Sequence, residues 1–444
     1  MSPHPANRPR LLLIVALSML IAPAAHARPV DESPVARRAT RDRRTVDDSA
    51  RRERSSRAIR ASADVSDFDA DEHLERILAV VDRSAVPSLV GADHWDDVVD
   101  RFSPAAERAG SHFAFADAVN RMFKASGISH FAYFTDEDFG YWYLRSALGG
   151  GDRPAVSHAG LFPQRIDGRW FVRGILEGSP AAGLGISVGD EIVAFDGRPF
   201  LPVSSFRDHA GKPGRLTLRH SPADEYGVTV TPVRESLDHA VRQAMLSSIA
   251  VIEVDGRRFA YLHGWSLLSG GQEYRELLKM QDRVDGLLLD YRDGVGGRWE
   301  TASRFLFGFD VLHPPVSERT VGDRSDRRGR AVDASRRWTL PLVMLTDDGT
   351  RSAKEIVARA VKNRARGLLV GTATPGHVTA VGGLARIGAD GLLMLPGMRF
   401  KQEGHPVEPD ILVSRDLRYC GGRDPQMIAG VQALLGLIDR KGAR

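Results

Sequence analysis

Residues 342–376, LVMLTDDGTRSAKEIVARAVKNRARGLLVGTATPG, constrain the fold more than any other stretch of this chain. Leu342–Leu345 is an apolar run of the kind buried on both faces of a parallel sheet. A polar, Gly-containing turn follows. Ser352 then opens an amphipathic helix whose Ile356, Val357, Ala360 and Val361 share one face. A buried strand, a tight turn and a helix in that order point to an α/β fold. Two readings of Ser352 stay open from the residues alone. With Glu355 it fits an S-x-x-E capping box, in which the hydroxyl serves the helix. A serine at a sharp strand-to-helix turn also exposes its hydroxyl at the carboxyl end of a sheet. There the Ala353 N–H, at a helix N-terminus, is placed to receive an oxyanion. That geometry suits a nucleophile.

The run D-x-G-T-x-S-A-x-E-I, a helix, and then L-V-G-T-x-T-x-G resembles the nucleophile region of the C-terminal processing and tricorn-core serine peptidases. The interphotoreceptor retinoid-binding modules share that fold. Within residues 155–235, GILEGSPAAGLGISVGDEIVAFDGRPF resembles a PDZ domain, with Gly160-Leu161-Phe162 in the place of its carboxylate-binding loop. A PDZ groove adds a peptide strand to a sheet edge while backbone N–H groups hold a terminal carboxylate. The turn in VDGLLLDYRDGVGG resembles the family's aspartate-x-arginine-x-x-x-glycine-glycine turn, here Asp290, Arg292, Gly296 and Gly297, with Gly294 in place of the usual Asn. It has neither G-x-G-x-x-G nor a Walker lysine, which excludes nucleotide binding.

Peptidases of the Ser-Lys type carry a lysine directly after Gly376, where this chain has His377. The tricorn-like subgroup offers another base. Its Ser-His pair is matched by Ser129-His130, and its glutamate, six residues before a Pro-Asp pair, by Glu403 ahead of Pro409-Asp410. The resemblance therefore implies Ser352 as nucleophile, His130 as base, and Ser129 and Glu403 as its orienting groups. It implies Gly296 and Ala353 as oxyanion donors, with His377 as the alternative base. Lys354 and Lys362 read as solvated charges on the helix surface, and Cys420 as a structural thiol.

At 444 residues the chain has room for two or three domains, given roughly 100–200 residues in each. The net charge of +4 is local: Arg37–Arg60 holds ten arginines against four acids, so the body is near neutral and not built for nucleic acid. Arg8 and Arg10, the apolar Leu11–Ile21 and Ala25-His26-Ala27 read as a signal peptide over 1–27, cleaved after Ala27. No integral membrane segment is expected after cleavage. Cys420 is the one cysteine, so no intrachain disulfide forms. Residues 28–66 read as a disordered Arg-rich linker. Residues 67–154 read as a helical subdomain ending in the Ser-His segment GISHFAYFTDEDFGYWYLRSAL, which its aromatics mark as β-rich. The PDZ-like 155–235 interrupts the chain before a mixed αβ peptidase core over 236–444, with a polar excursion at 313–338. The histidines form no H-E-x-x-H or similar ligand pattern, so neither metal nor cofactor is expected.

The expected protein is an exported serine peptidase, periplasmic or secreted, that cleaves peptides or unfolded proteins and reads their C-termini. It would be an endopeptidase or a carboxyl-terminal processing enzyme. The alternative is a catalytically inactive protein on the same fold that binds peptides or small apolar ligands.

Overall fold

The computed structural model describes residues 68–442, apart from 152, 309 and 312–336. The expected signal peptide, the Arg-rich linker and most of the 313–338 excursion lie outside the described residues. Among the described residues, four helices come first: α1 (Ala70–Asp82), α2 (Val86–Val90), α3 (Ala92–Glu107) and α4 (His112–Ala125). Asp69 caps α1 by accepting the Glu72 N–H, and Ser111 caps α4 by accepting that of Ala114. Leu74, Ile77 and Val81 of α1 and Phe115, Val119 and Met122 of α4 form one buried cluster around Trp95.

Strand β1 (Ala132–Thr135) follows, and then helix α5 (Phe139–Leu148). The aromatic stretch expected to be β-rich is thus strand only in its first part. Asp138 ends the strand by accepting the Thr135 N–H at 2.7 Å. Beyond it, Tyr141, Tyr143 and Leu144 are buried among Leu237, Val241 and Met245. Burial against a helix, rather than intrinsic β preference, decides the conformation of these aromatics.

The next unit is mostly strand, with one 3-10 turn at Ser204–Phe206: β2 (Val156–His158), β3 (Leu161–Ile166), β4 (Arg169–Ile175), β5 (Glu191–Phe195), β6 (Arg198–Pro199), β7 (Gly214–Ser221), β8 (Asp224–Val230) and β9 (Val233–Glu235). Its antiparallel sheet runs β3-β4-β5-β7-β8, with β6 against β5, and encloses a core of its own around Val172, Ile192, Phe195 and Leu218. One edge of that sheet is β3, which begins at Leu161 beside Gly160.

The remaining elements are α6 (Leu237–Ser248), β10 (Ala250–Val254), β11 (Arg257–His263), α7 (Gln272–Leu278), β12 (Gly286–Asp290), α8 (Trp299–Phe307), β13 (Leu342–Thr346), α9 (Ala353–Asn363), β14 (Leu368–Gly371), β15 (Val381–Ile387), β16 (Gly391–Pro396), β17 (Ile411–Leu412) and α10 (Pro425–Gly442). They build a sheet ordered β10-β11-β12-β13-β14-β17, parallel from β11 onward. Leu287, Leu289, Leu342 and Met344 face Val357 and Val361 of α9, while Leu288, Val343 and Leu345 face Val431 and Leu434 of α10. Helices on both faces explain why every residue of β12 and β13 is buried and apolar runs replace alternation. A three-stranded antiparallel sheet, β1-β16-β15, ties the N-terminal helices to this core. The molecule is a mixed α/β structure.

Candidate active site

Strand β13 delivers the chain to residues 347–352, and this turn is held from several sides. Thr350 Oγ1 donates to the Tyr291 carbonyl at 3.0 Å, and Asp347 Oδ1 accepts the Gly349 N–H at 2.8 Å. A Cβ on Gly349 would lie 2.6 Å from the Asp293 backbone, so the two turns meet with no room for a side chain. Ser352 then takes φ 59° and ψ −127°, a conformation that side chains with a Cβ rarely adopt.

The capping-box reading of Ser352 does not hold. Its side chain makes no capping hydrogen bond, and its backbone N–H donates to the His377 carbonyl at 2.8 Å. The Glu355 carboxylate does not turn back to Ser352. It accepts from Thr374 Oγ1 at 2.7 Å and from the N–H groups of Gly376 and His377 at 2.8 and 2.7 Å. A residue that read as half of a cap instead staples the next loop against the helix. That loop places the His377 carbonyl on Ser352.

Among the described residues, eight non-glycine residues have a positive φ. Three of them, Asp167, Asp196 and Asp255, precede glycines in tight hairpin turns, where this conformation is ordinary. Three others are Ser352, Asp293 and His130, which sit at the candidate site. Strain gathered at one place is a mark of functional geometry.

His130, half-buried, lies ahead of β1, and its partners form a chain. The Nδ1 atom is 3.0 Å from Ser129 Oγ, which donates to Glu403 Oε2 at 3.0 Å. Glu403 also accepts N–H groups from Ser129, Val378 and Thr379, each at 2.8 Å. With the Ser129 hydroxyl proton given to the carboxylate, its oxygen accepts the imidazole Nδ1–H. The Nε2 atom is left with a free lone pair. Burial pushes the His130 pKa down to about 4; the Glu403 charge opposes this, while His377 and Arg351 add to it. Burial works against the Glu403 carboxylate, but its hydrogen bonds from Ser129 and Val378 prevail and hold it below the usual range. The ring is therefore neutral and the carboxylate charged at neutral pH. His377 projects an exposed side chain; its backbone is what meets Ser352 and Glu355.

The glycine turn after β12 closes on Ser352 from the other side. A Cβ on Gly296 would stand 2.5 Å from Ser352 Cβ and 3.0 Å from its Oγ, so only glycine fits there. Neither the Gly296 N–H nor the Ala353 N–H has a hydrogen-bond partner among the described residues. Arg292 anchors this turn through paired contacts to Asp290 at 2.8 and 2.6 Å, and further ones to Asp424 and Gln426. Burial opposes ionisation of Asp290, yet the Arg292 guanidinium holds its carboxyl well below the usual range.

Lys354 is not the solvated charge that helical spacing suggests. It is wholly buried, and its Nζ donates to the Asp293 carbonyl at 2.6 Å. Desolvation pulls its pKa down to about 8 against the attraction of Asp293, Asp347 and Asp290. These acids and that carbonyl compensate the buried ammonium, which helical periodicity alone does not reveal. Lys362 is half-exposed and donates to the Glu408 carbonyl at 2.6 Å.

Gly160 has φ 84°, and a side chain there would collide with Ser179. Leu161 and Phe162 start the edge strand β3, and the Phe162 ring packs edge-on against Trp265, centroids 5.6 Å apart. This strand unit also reaches the turns around Ser352. Arg173 on β4 pairs with Asp293, with Asp347 at 3.0 Å and with Asp348 at 2.7 Å. Cys420 donates its thiol to the Val188 carbonyl at 3.0 Å, and burial raises its pKa, in keeping with a structural thiol.

Residues 258–413 match Peptidase family S41, a span that includes Gly296, Ser352, Ala353 and Glu403 but neither Ser129-His130 nor Gly160–Phe162. Tricorn protease homolog 1 of Streptomyces coelicolor is 29% identical over 387 residues, covering 79% of this chain and 34% of that protein. The chain thus spans about a third of the length of this relative. The carboxyl-terminal-processing protease of Synechocystis sp. is 28% identical over 212 residues, 45% of this chain and 48% of that one. Among solved structures, the photosystem II D1 C-terminal processing protease overlays 83% of this chain and 98% of its own, at 19% identity and a TM-score of 0.44. Among the described residues, no helix is long and apolar enough to cross a membrane.

Proposed function

We propose that this chain, whose residues 258–413 match Peptidase family S41 and which is similar to tricorn and carboxyl-terminal-processing proteases, is an exported serine peptidase in which Ser352 attacks the peptide carbonyl. The observation that carries this reading is the Glu403–Ser129–His130 hydrogen-bond chain. Its loop partners, Val378 and Thr379, directly follow the residue whose carbonyl holds the Ser352 N–H.

In the proposed sequence, Ser352 Oγ bonds to the carbonyl carbon and its proton moves to His130 Nε2. The carbonyl oxygen becomes the oxyanion and accepts from the Gly296 and Ala353 N–H groups, each worth about 2.7–4 kcal/mol to the transition state. His130 returns the proton to the leaving amine as the C–N bond breaks, leaving an acyl-enzyme. Water, deprotonated by His130, then releases the acid product and restores Ser352. The Glu403 charge stabilises the imidazolium in both halves.

The strand unit over 155–235 is assigned to substrate capture. The Gly160-Leu161-Phe162 segment opens a free sheet edge, the place where a peptide C-terminus adds as a further strand. Peptides and unfolded proteins with accessible C-termini are the substrates this suits, and the basic, apolar N-terminus directs the chain out of the cytoplasm.

Ser352→Ala should lower peptide cleavage by a factor of roughly a thousand to a million and abolish labelling by a fluorophosphonate. Undiminished cleavage by a folded Ser352→Ala protein would remove Ser352 as nucleophile. Absence of both labelling and cleavage in the unaltered protein would favour the non-catalytic binding role.

A further inference from the structure

The fold assembles a group of side chains that no local spacing announces. His73 on α1, His112 at the start of α4 and Asp390 between β15 and β16 each offer one ligand atom, all within 4.8 Å of one another. His73 Nε2 is 3.6 Å from Asp390 Oδ1, and His112 Nδ1 is 3.2 Å from Oδ2. Each spacing is close to the roughly 3.4 Å edge of a tetrahedron whose ligands sit about 2.1 Å from its centre, but the two go to different Asp390 oxygens, so a single oxygen serving both rings requires the carboxylate to turn.

The outer contacts fix what these atoms present. His73 Nδ1 donates to the Asp69 carbonyl at 2.9 Å, which leaves Nε2 as the bare lone pair. His73 is only 7% exposed, and its Nε2 is buried without a hydrogen-bond partner among the described residues. The atom it faces is a carboxylate oxygen, which also carries only lone pairs. Two such atoms turned toward each other call for a metal ion or a proton between them. His112 Nε2 meets the Tyr133 hydroxyl at 2.7 Å; in the tautomer whose Nε2–H donates there, Nδ1 faces Asp390 Oδ2 as a second lone pair. Gly388, at φ 63°, lets the hairpin turn close on the group: a Cβ there would stand 3.0 Å from His73 Nε2 and 3.6 Å from Asp390 Oδ1. The Asp390 side chain is 30% exposed, which gives water a route in.

We propose that His73, His112 and Asp390 bind one divalent metal ion of the zinc class, with water as a fourth ligand, and so clamp the helical layer onto the β15–β16 hairpin. Two imidazoles and one carboxylate favour such an ion over calcium or magnesium, which take all-oxygen sites. The site lies outside the Ser352 machinery and is independent of the peptidase reading.

The test uses the full chain without a polyhistidine tag, stripped by EDTA and titrated with CoCl2. One equivalent should bind with the visible bands of four-coordinate cobalt, be displaced by ZnCl2, and raise the thermal unfolding midpoint. Asp390→Asn, at a half-exposed turn position, should weaken cobalt binding by at least about 100-fold, and Tyr133→Phe by about 10-fold. His73→Gln should match Asp390→Asn where circular dichroism shows it folded. Cobalt binding unaltered by Asp390→Asn would overturn the proposal. So would a chain that takes up no cobalt while NMR shows the His73 ring charged at neutral pH, since a proton would then fill the gap.

Discussion

At the scale of single residues, the identity of the base is what matters most. His130 and His377 were both candidates by sequence, and they differ in what surrounds them. His130 is tied through Ser129 to a carboxylate with four donors, whereas His377 contributes its backbone and leaves its ring exposed. The resting His130 is held neutral by burial down to about pH 4, below the 6.5 of a free imidazole. kcat/KM should therefore hold its value from neutral pH through pH ~5 and fall only as the pH nears about 4, because protonation removes the acceptor. An acid limb centred near 6.5 in peptide hydrolysis would count against this ring as the base. His130→Ala should cost nearly as much as Ser352→Ala, Glu403→Gln less, and His377→Ala little, since members of one catalytic unit are not additive. A dead His377→Ala enzyme beside an active His130→Ala one would move the base to residue 377. The pairing of Ser352 with Glu355 in sequence also suggested a cap; the φ of 59° and the bond to His377 exclude it.

At the scale of elements, α9 does more than present a serine at its first turn. Its Glu355 gathers the Thr374–His377 loop and its Lys354 gathers the Asp293 turn, so the helix start braces both neighbours of Ser352. Glu355→Gln keeps the shape but replaces charge-assisted bonds by neutral ones. It should destabilise the protein by about 1.5–3 kcal/mol, read as a lower urea midpoint with an unchanged slope. An unaltered midpoint would mean that the loop is held by its other contacts. The strand–turn–helix of 342–363 was legible because apolar runs and 3.6-residue periodicity follow directly from burial. The helix α5 was not. Its aromatics carry β preference, and only the apolar surface of α6 beside them settles the matter.

At the scale of the whole molecule, the candidate site is drawn from four separated parts of the chain: residues 129–130, the turn at 296, the elbow at 352 and the loop at 403. Arg173 connects the strand unit to two of those parts through Asp293 and Asp347. If that unit reads C-termini, a peptide ending in Val, Leu or Ala should bind markedly more weakly when amidated, because the carboxylate's backbone hydrogen bonds are lost. Equal affinities for acid and amide by calorimetry would show that the groove ignores termini. By itself the sequence determined the α/β class, the two buried strands, the elbow and its helix, and, through family resemblance, which four residues to propose as a tetrad. Those are properties of local pattern, set by which side chains must leave water and which backbone turns glycine permits. Only the tertiary structure decided that Glu355 staples a loop, that Lys354 is buried, and that His73, His112 and Asp390 converge. Each depends on a partner far away in the chain, and the free energy of burying a charge or a lone pair is set by that partner, not by neighbours in sequence.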